Sequence, residues 1–279
     1  MPTVNAEACT RCGRCLAVCP YRLLVPELQA GWRARCLGCG HCAAVCPARA
    51  VELETGPMAE AVLQEAAVET VLGWLRARRS VRQYREQPVP REQVTRLLEA
   101  ACCSPTGHNA RQVGCLVLAS QEARERLAGE ICTVYRRLGR VLANPLLRGA
   151  LGLWVGHGRV RELREALPGL RWAEEQFQAG RDPLFHHAPV VLVLHAPPAE
   201  TAEADCALAA GQVSLLAPSL GLGTCHIGYA SALLKRLPRI GRRCGVPRGH
   251  RGFAVLTIGY PAVTWRWLPP RPAIPIRWR

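Results

Sequence analysis

Lys235 is the only lysine in the chain; the rest of its 36 basic residues are arginines. Positive charge built this way is a compositional bias spread along the whole sequence. No helix-turn-helix, zinc-finger or stacking-aromatic pattern accompanies it, so the net charge of +15 does not point to nucleic acid. Long apolar runs are also missing. The best of them, such as 188–198, are broken by His or Pro and are too short for a bilayer span. The opening Met-Pro-Thr-Val-Asn-Ala-Glu has neither a basic start nor an apolar stretch, so no export signal is visible and a cytoplasmic protein is expected. There is no Walker A run. Gly221-Leu222-Gly223 followed by Gly228 misses the G-x-G-x-x-G spacing, which removes a Rossmann half for NAD(P)H.

What is present is a chain of 279 residues, 49% apolar, enough for a packed core and for one large domain or two smaller ones. Its fifteen cysteines are the conspicuous feature. Without an export signal, thiols are metal ligands, catalytic groups or small core residues rather than disulfides. Eight of them fall within the first 46 residues; Cys102, Cys103, Cys115, Cys132, Cys206, Cys225 and Cys244 are scattered. The scattered seven read as small core residues.

Residues 9–20 read Cys-Thr-Arg-Cys-Gly-Arg-Cys-Leu-Ala-Val-Cys-Pro, and residues 36–47 read Cys-Leu-Gly-Cys-Gly-His-Cys-Ala-Ala-Val-Cys-Pro. Every Cys of the first block recurs 27 positions later, together with Gly13/Gly40, Ala17/Ala44, Val18/Val45 and Pro20/Pro47. Both halves carry the C-x2-C-x2-C-x3-C-P run of iron–sulfur proteins. Three cysteines on a tight loop reach different irons of one cube, and the fourth, displaced by one residue, points to another. Zinc is the alternative for paired C-x2-C knuckles, but it leaves the third Cys and the Cys-Pro of each block without a role.

The segment resembles two-cluster ferredoxins, in which the fourth Cys ligates the other cluster. The resemblance implies two 4Fe-4S clusters, one on Cys9, Cys12, Cys15 and Cys46, the other on Cys36, Cys39, Cys42 and Cys19. So small a domain buries little core, and the clusters hold it together. Short apolar segments at 23–25 and 51–53 are expected to form its strands.

Beyond Gly56-Pro57 the composition changes. Val62, Leu63, Ala66, Ala67, Val71, Trp74 and Leu75 mark a helical apolar face across 60–77. Arg78-Arg79-Ser80-Val81-Arg82 follows. If extended, it sends Arg78, Ser80 and Arg82 to one side, where two guanidiniums and a hydroxyl suit a phosphate. A helix is expected at 91–103, a buried strand at 190–194, and a helix apolar on nearly all sides at 205–220. His186-His187 reads as a loop pair, with no third ligand or carboxylate at a useful spacing.

The order of "RRSVRQY", "SPTGHNARQVGCLVL", "GRDPLFHHAPVVLVLHAP", "DCALAAGQVSLLAPSLGLGTCHIGY" and "GYPAVTWRWLPPRP" resembles the nitroreductase family over most of 74–272. The resemblance implies an α+β fold: a small two-cluster ferredoxin-type domain at 1–57, a connecting helix at 58–73, and a nitroreductase-type FMN-binding α+β sandwich at 74–279 with an extended C-terminal arm. It implies that Arg78, Ser80 and Arg82 meet the flavin phosphate and ribityl end. Pro105, Thr106 and Asn109 would lie along the flavin, and Gly221, Leu222 and Gly223 would bring backbone amides to the ring. Arg271 would close over the phosphate. The family's Ser/Ala-Gln-Pro is Ala110-Arg111-Gln112 here, which puts Arg111 beside the flavin or in solvent, and His226 stands where an aromatic is common. Since the flavin is the reactive group, no acid–base dyad is expected. The function implied is an FMN-dependent oxidoreductase passing electrons from a low-potential donor (a ferredoxin or reductase) through the clusters to FMN and an electron-poor small substrate, nitro or quinone-like, in a homodimer. The alternative is an electron-transfer module serving a partner protein.

Overall fold

The computed structural model describes residues 2–23, 36–56, 68–267 and 272–279. Contacts divide the chain into two compact units. One holds Met1–Ala67 with Thr106–Arg111; the other holds Val68–Pro105 with Gln112–Arg279.

In the first unit, β1 (Pro2–Val4) pairs antiparallel with β2 (Val51–Leu53), Val4 opposite Val51. Between them lie two short helices, α1 (Arg14–Val18) and α2 (His41–Ala44), each opened by a left-handed glycine, Gly13 or Gly40. The repeat seen in sequence is repeated in backbone: Arg11 and Gly38, Gly13 and Gly40, and Arg22 and Arg49 all take positive φ, the members of each pair within about 5° of one another. The strand expected at 51–53 is therefore present. Of 23–25, Leu23 is buried coil and the rest lies outside the described residues.

The second unit begins with α3 (Val68–Ala77), the described part of the helix expected across 60–77, and α4 (Arg91–Cys102). Its centre is a four-stranded antiparallel sheet. In chain order the strands are β3 (Gly114–Leu118), β4 (Val190–Ala196), β5 (Gly223–His226) and β6 (Arg251–Gly259), and in space β3-β4-β6-β5. Val190, Leu192 and Leu194 with Ala254, Leu256 and Ile258 face one side, against α4 and α8 (Ala202–Leu216). Val191, Val193 and Val255 face the other, against α5 (Gln121–Ala143), α9 (Gly228–Arg236) and α10 (Pro238–Arg243). Helices on both faces explain why β4 reads as an unbroken apolar run. Ser120 and Asn144 cap the starts of α5 and α6 (Pro145–Val155) by accepting backbone N–H groups, and α7 (His157–Gln178) leads back to the sheet. Among the described residues no helix is long and apolar enough to cross a membrane.

Candidate functional site

In the first unit the eight thiols surround two cavities. Cys9, Cys12, Cys15 and Cys46 line one; Cys19, Cys36, Cys39 and Cys42 line the other. Each ring takes three cysteines from one repeat and the fourth from the other. Among the described residues no three His, Cys, Asp or Glu side chains draw in around a single-ion point; the cysteines ring spaces instead, as ligands of a polynuclear cluster do. Backbone donors already reach the sulfurs: Gly38 N–H to Cys36 Sγ at 3.4 Å and Ala50 N–H to Cys46 Sγ at 3.3 Å. Burial pushes the Cys42 thiol up, and neighbouring Cys39 and Cys36 add to it. The Arg14 backbone N–H, helped by Thr10, pulls exposed Cys12 down. These features fit a donor set for iron–sulfur clusters.

The second unit builds its own site at the free edge of β5. Val81 N–H donates to the Thr224 carbonyl at 2.9 Å, Ser80 forms a parallel bridge with Thr224, and Arg85 N–H donates to Tyr260 at 2.8 Å. The basic segment thus lies along β5. Tyr84 fastens it from below, its hydroxyl donating to Val81 O and meeting Thr257 Oγ1, each at 2.7 Å. Arg78, Ser80 and Arg82 come together around one buried thiol, Cys225. Burial pushes that thiol up, while the Arg82 charge, the Ser80 hydroxyl and the Arg78 charge each pull it down. The same Arg78 charge reinforces the effect of burial in lowering His226, whose Nε2 sits 3.2 Å from Ser214 Oγ.

Sequence reading missed Arg79. Its Nη1 donates to the carbonyls of Arg76 (2.6 Å) and Arg78 (2.9 Å) at the end of α3, and its Nη2 is buried with no partner among the described residues. Alternation along an extended segment assigns Arg79 to the wrong side, so no sequence signal offered it. An unspent buried guanidinium donor beside Arg78, Ser80 and Arg82 suits an oxyanion such as a phosphate.

The glycines have distinct duties. Gly221 takes φ 70° and closes the turn after α8, its N–H bonding Pro218 O while Leu222 N–H bonds Ala217 O. Gly223 is where Val81 comes close: a Cβ there would lie 2.4 Å from Val81 Cγ2. Thr106, Asn109 and Arg111 belong to the first unit, where the segment forms a tight turn with His108, Asn109 and Arg111 all at positive φ. Pro105 belongs to the second unit and is exposed. Arg271 lies outside the described residues.

One expectation is corrected. Cys102 and Cys103 are exposed, because α4 buries Val94 and Leu97 and ends with both cysteines outside that stripe. Cys115 and Cys206, by contrast, are core thiols pushed up to about 12 by burial. His186-His187 lies in a loop beside Asp182, which accepts from the N–H groups of Leu184, Phe185 and His187 at 3.1, 2.8 and 3.1 Å. Asp182 pins the loop that leads into β4.

The model of the nitroreductase family matches residues 75–260, and that of a 4Fe-4S dicluster domain matches residues 8–51. A Methanothermobacter thermautotrophicus protein carried under the name NADH dehydrogenase/NAD(P)H nitroreductase is 26% identical over 192 residues, 69% of this chain and 78% of that one. Among solved structures, an FMN-bound nitroreductase from Bacteroides fragilis superposes with a TM-score of 0.55 at 21% identity, covering 74% of this chain and 98% of the other. An FMN-bound nitroreductase from Desulfitobacterium hafniense gives 0.51 at 22% identity, covering 73% and 94%.

Proposed function

Since this chain belongs to the nitroreductase family and carries a 4Fe-4S dicluster domain before it, we propose that it is an FMN-dependent oxidoreductase. In this reading it takes electrons from a low-potential donor through two 4Fe-4S clusters and passes them in pairs to an electron-poor small substrate, nitro or quinone-like. The observation that carries the reading is the sorting of eight cysteines into two four-thiol rings, with Cys19 and Cys46 exchanged between repeats. When bound, such clusters supply single electrons and a flavin supplies two-electron chemistry.

The residues divide the work. Cys9, Cys12, Cys15 and Cys46 hold one cluster; Cys19, Cys36, Cys39 and Cys42 hold the other. Arg78, Ser80 and Arg82, with the spare Nη2 of Arg79, neutralise and orient the flavin phosphate, since guanidiniums make strong charge-assisted bonds to phosphate oxygens. Pro105 and the 221–223 turn border the rest of the flavin. A homodimer buries the apolar side chains that one copy leaves exposed on α3 and in the tail, among them Val71, Trp74, Leu75, Ile274 and Trp278.

Anaerobic purification with iron, sulfide, zinc and flavin analysis tests the reading. About eight iron and one FMN per chain are expected, followed by oxidation of the reduced protein by nitroaromatic or quinone acceptors. Iron without flavin, or zinc in place of iron, sinks it. Turnover with none of these acceptors, but with a protein oxidant, shifts it to the partner-protein alternative. Sedimentation of the same material as a monomer alone removes the dimer.

A further inference from the structure

The two cysteine loops are alike in backbone but not in surroundings. In the second loop, Leu37 and Gly38 share one peptide group, and both of its polar ends are engaged. The Gly38 N–H donates to Cys36 Sγ at 3.4 Å. The Leu37 carbonyl accepts from Asn109 Nδ2 at 2.9 Å. Asn109 Oδ1 in turn accepts from Arg111 Nε at 3.2 Å. A continuous line of hydrogen bonds therefore runs from a guanidinium, through a side-chain amide and a peptide, to a cluster sulfur. Each bond in such a line polarises the next. Among the described residues the Thr10 carbonyl, one repeat earlier, has no such donor.

The turn that delivers Asn109 is held under strain. His108, Asn109 and Arg111 have φ of 52°, 54° and 50°, a region that Asn tolerates better than most residues. Thr106 secures it, its carbonyl accepting from Asn109 N–H at 2.9 Å and its Oγ1 from Arg111 N–H at 3.0 Å. Strain of this kind persists only where surrounding bonds over-determine it, and it marks working segments.

We propose that Asn109 is a positioning residue for the second cluster. It fixes the 37–38 peptide with its N–H on Cys36 and, backed by Arg111, raises the reduction potential of the cluster held by Cys19, Cys36, Cys39 and Cys42. This rests on the reading of the eight cysteines as ligands of two clusters. The sign follows from charge: a donor on a thiolate sulfur disperses negative charge, which favours the reduced, more negative form. Each cluster takes up one electron from the reductant, with no bond or proton moved at these residues.

The test is a potentiometric titration of the anaerobic holoprotein, read by electron paramagnetic resonance of the two reduced clusters, in wild type, Asn109→Ala, Asn109→Asp and Arg111→Gln. Asn109→Asp keeps the size and the tolerance of positive φ but turns an acceptor toward the Leu37 carbonyl. The expected result is one cluster about tenfold harder to reduce in both Asn109 variants, 59 mV for a one-electron couple, with the other unmoved and iron and sulfide contents unchanged. Arg111→Gln shifts the same cluster by less, because the exposed Arg111 charge is screened. If the Asn109 variants lose iron, Arg111→Gln, which leaves the Asn109–Leu37 bond in place, decides alone. Two clusters titrating as in wild type, or both moving together, overturn the proposal. A wild-type protein without iron overturns the cluster reading itself.

Discussion

At Gly223 a hydrogen stands where any other residue would put Cβ 2.4 Å from Val81 Cγ2 and 2.9 Å from Val81 Cβ. Val81 is buried and ties the basic segment to β5 through Thr224, so the neighbour cannot swing away cheaply. Gly223→Ala is expected to cost about 1–3 kcal/mol through overpacking and to scatter Arg78, Ser80 and Arg82. The measurement is the thermal midpoint together with flavin content: both fall in Gly223→Ala. Gly149→Ala, in α6 with nothing within 4 Å of its Cβ, is the matched control and is neutral or gains about 0.5–1 kcal/mol. A Gly223→Ala protein with unchanged midpoint and flavin would show that Val81 is not what demands glycine there. At this scale the sequence was partly legible. Arg78, Ser80 and Arg82 could be grouped by the two-residue period of an extended chain. The need for glycine at 223 could not, because it comes from Val81, far away along the chain. Arg79 escaped because its partners are the end carbonyls of the preceding helix, which the alternation rule does not see.

Strand β4 was readable because layers on both sides leave it no polar face, and helix α8 because its outward face, with Ala204, Ala207, Leu208 and Gly211 exposed, is itself largely apolar. The same burial hides one exception. His195, 6% exposed, closes the apolar run of β4 at a bulge, and its Nδ1 lies 2.9 Å from Nδ1 of His250. The partner lies 55 residues on, so no local pattern reveals the pair. With a nitrogen-to-nitrogen bond holding one hydrogen, one ring donates and the other must stay unprotonated there. Burial first, and His250 second, push the His195 pKa below its ordinary value; burial does the same at His186 and His226. An unfolded chain binds protons on these rings as pH falls through about 6.5, while the folded rings resist. Stability is therefore full above that pH and is lost progressively below it, until the folded rings protonate in turn. The thermal midpoint is expected to fall on acidification from about pH 7.5 to 5.5, and His195→Leu to flatten that slope relative to wild type. Parallel slopes in the two proteins would remove the pair from the account. Helices α5 to α7 had no counterpart in the sequence reading; α5 does carry a buried stripe of Leu127, Ala128, Ile131 and Leu142 at helical spacing, interspersed with arginines that obscured it.

The two units differ in what holds them. The second has an apolar cluster on each face of its sheet. The first has a cluster of Cys42, Ala43 and Val51, with Val4, Cys15, Leu16, Cys46 and Leu53 packed against it, so three of its few core side chains are proposed cluster ligands. The 27-residue repeat made this unit legible as a whole, because the cysteine spacing and the left-handed positions recur together. The attachment of 106–111 was not legible, since it depends on a bond between residues 72 apart. Both facts lead to one expectation. A unit this small cannot be supported by its apolar contacts alone, so ligand binding supplies its folding energy. Oxidative loss and chelation of the iron should therefore open the first unit while the sheet of the second stays intact. Trypsin then cuts at Arg11, Arg14, Arg22 and Arg49 and, because its segment belongs to that unit, also at Arg111, whereas 114–259 survives. Arginines within α4 and α5 stay protected, since their helices remain packed on the sheet. Mass spectrometry of timed digests, with and without iron, gives the answer. Equal resistance in both states would mean that the apolar contacts suffice. Early cutting at the four N-terminal arginines with Arg111 still protected would mean that the 106–111 turn is held by the second unit instead.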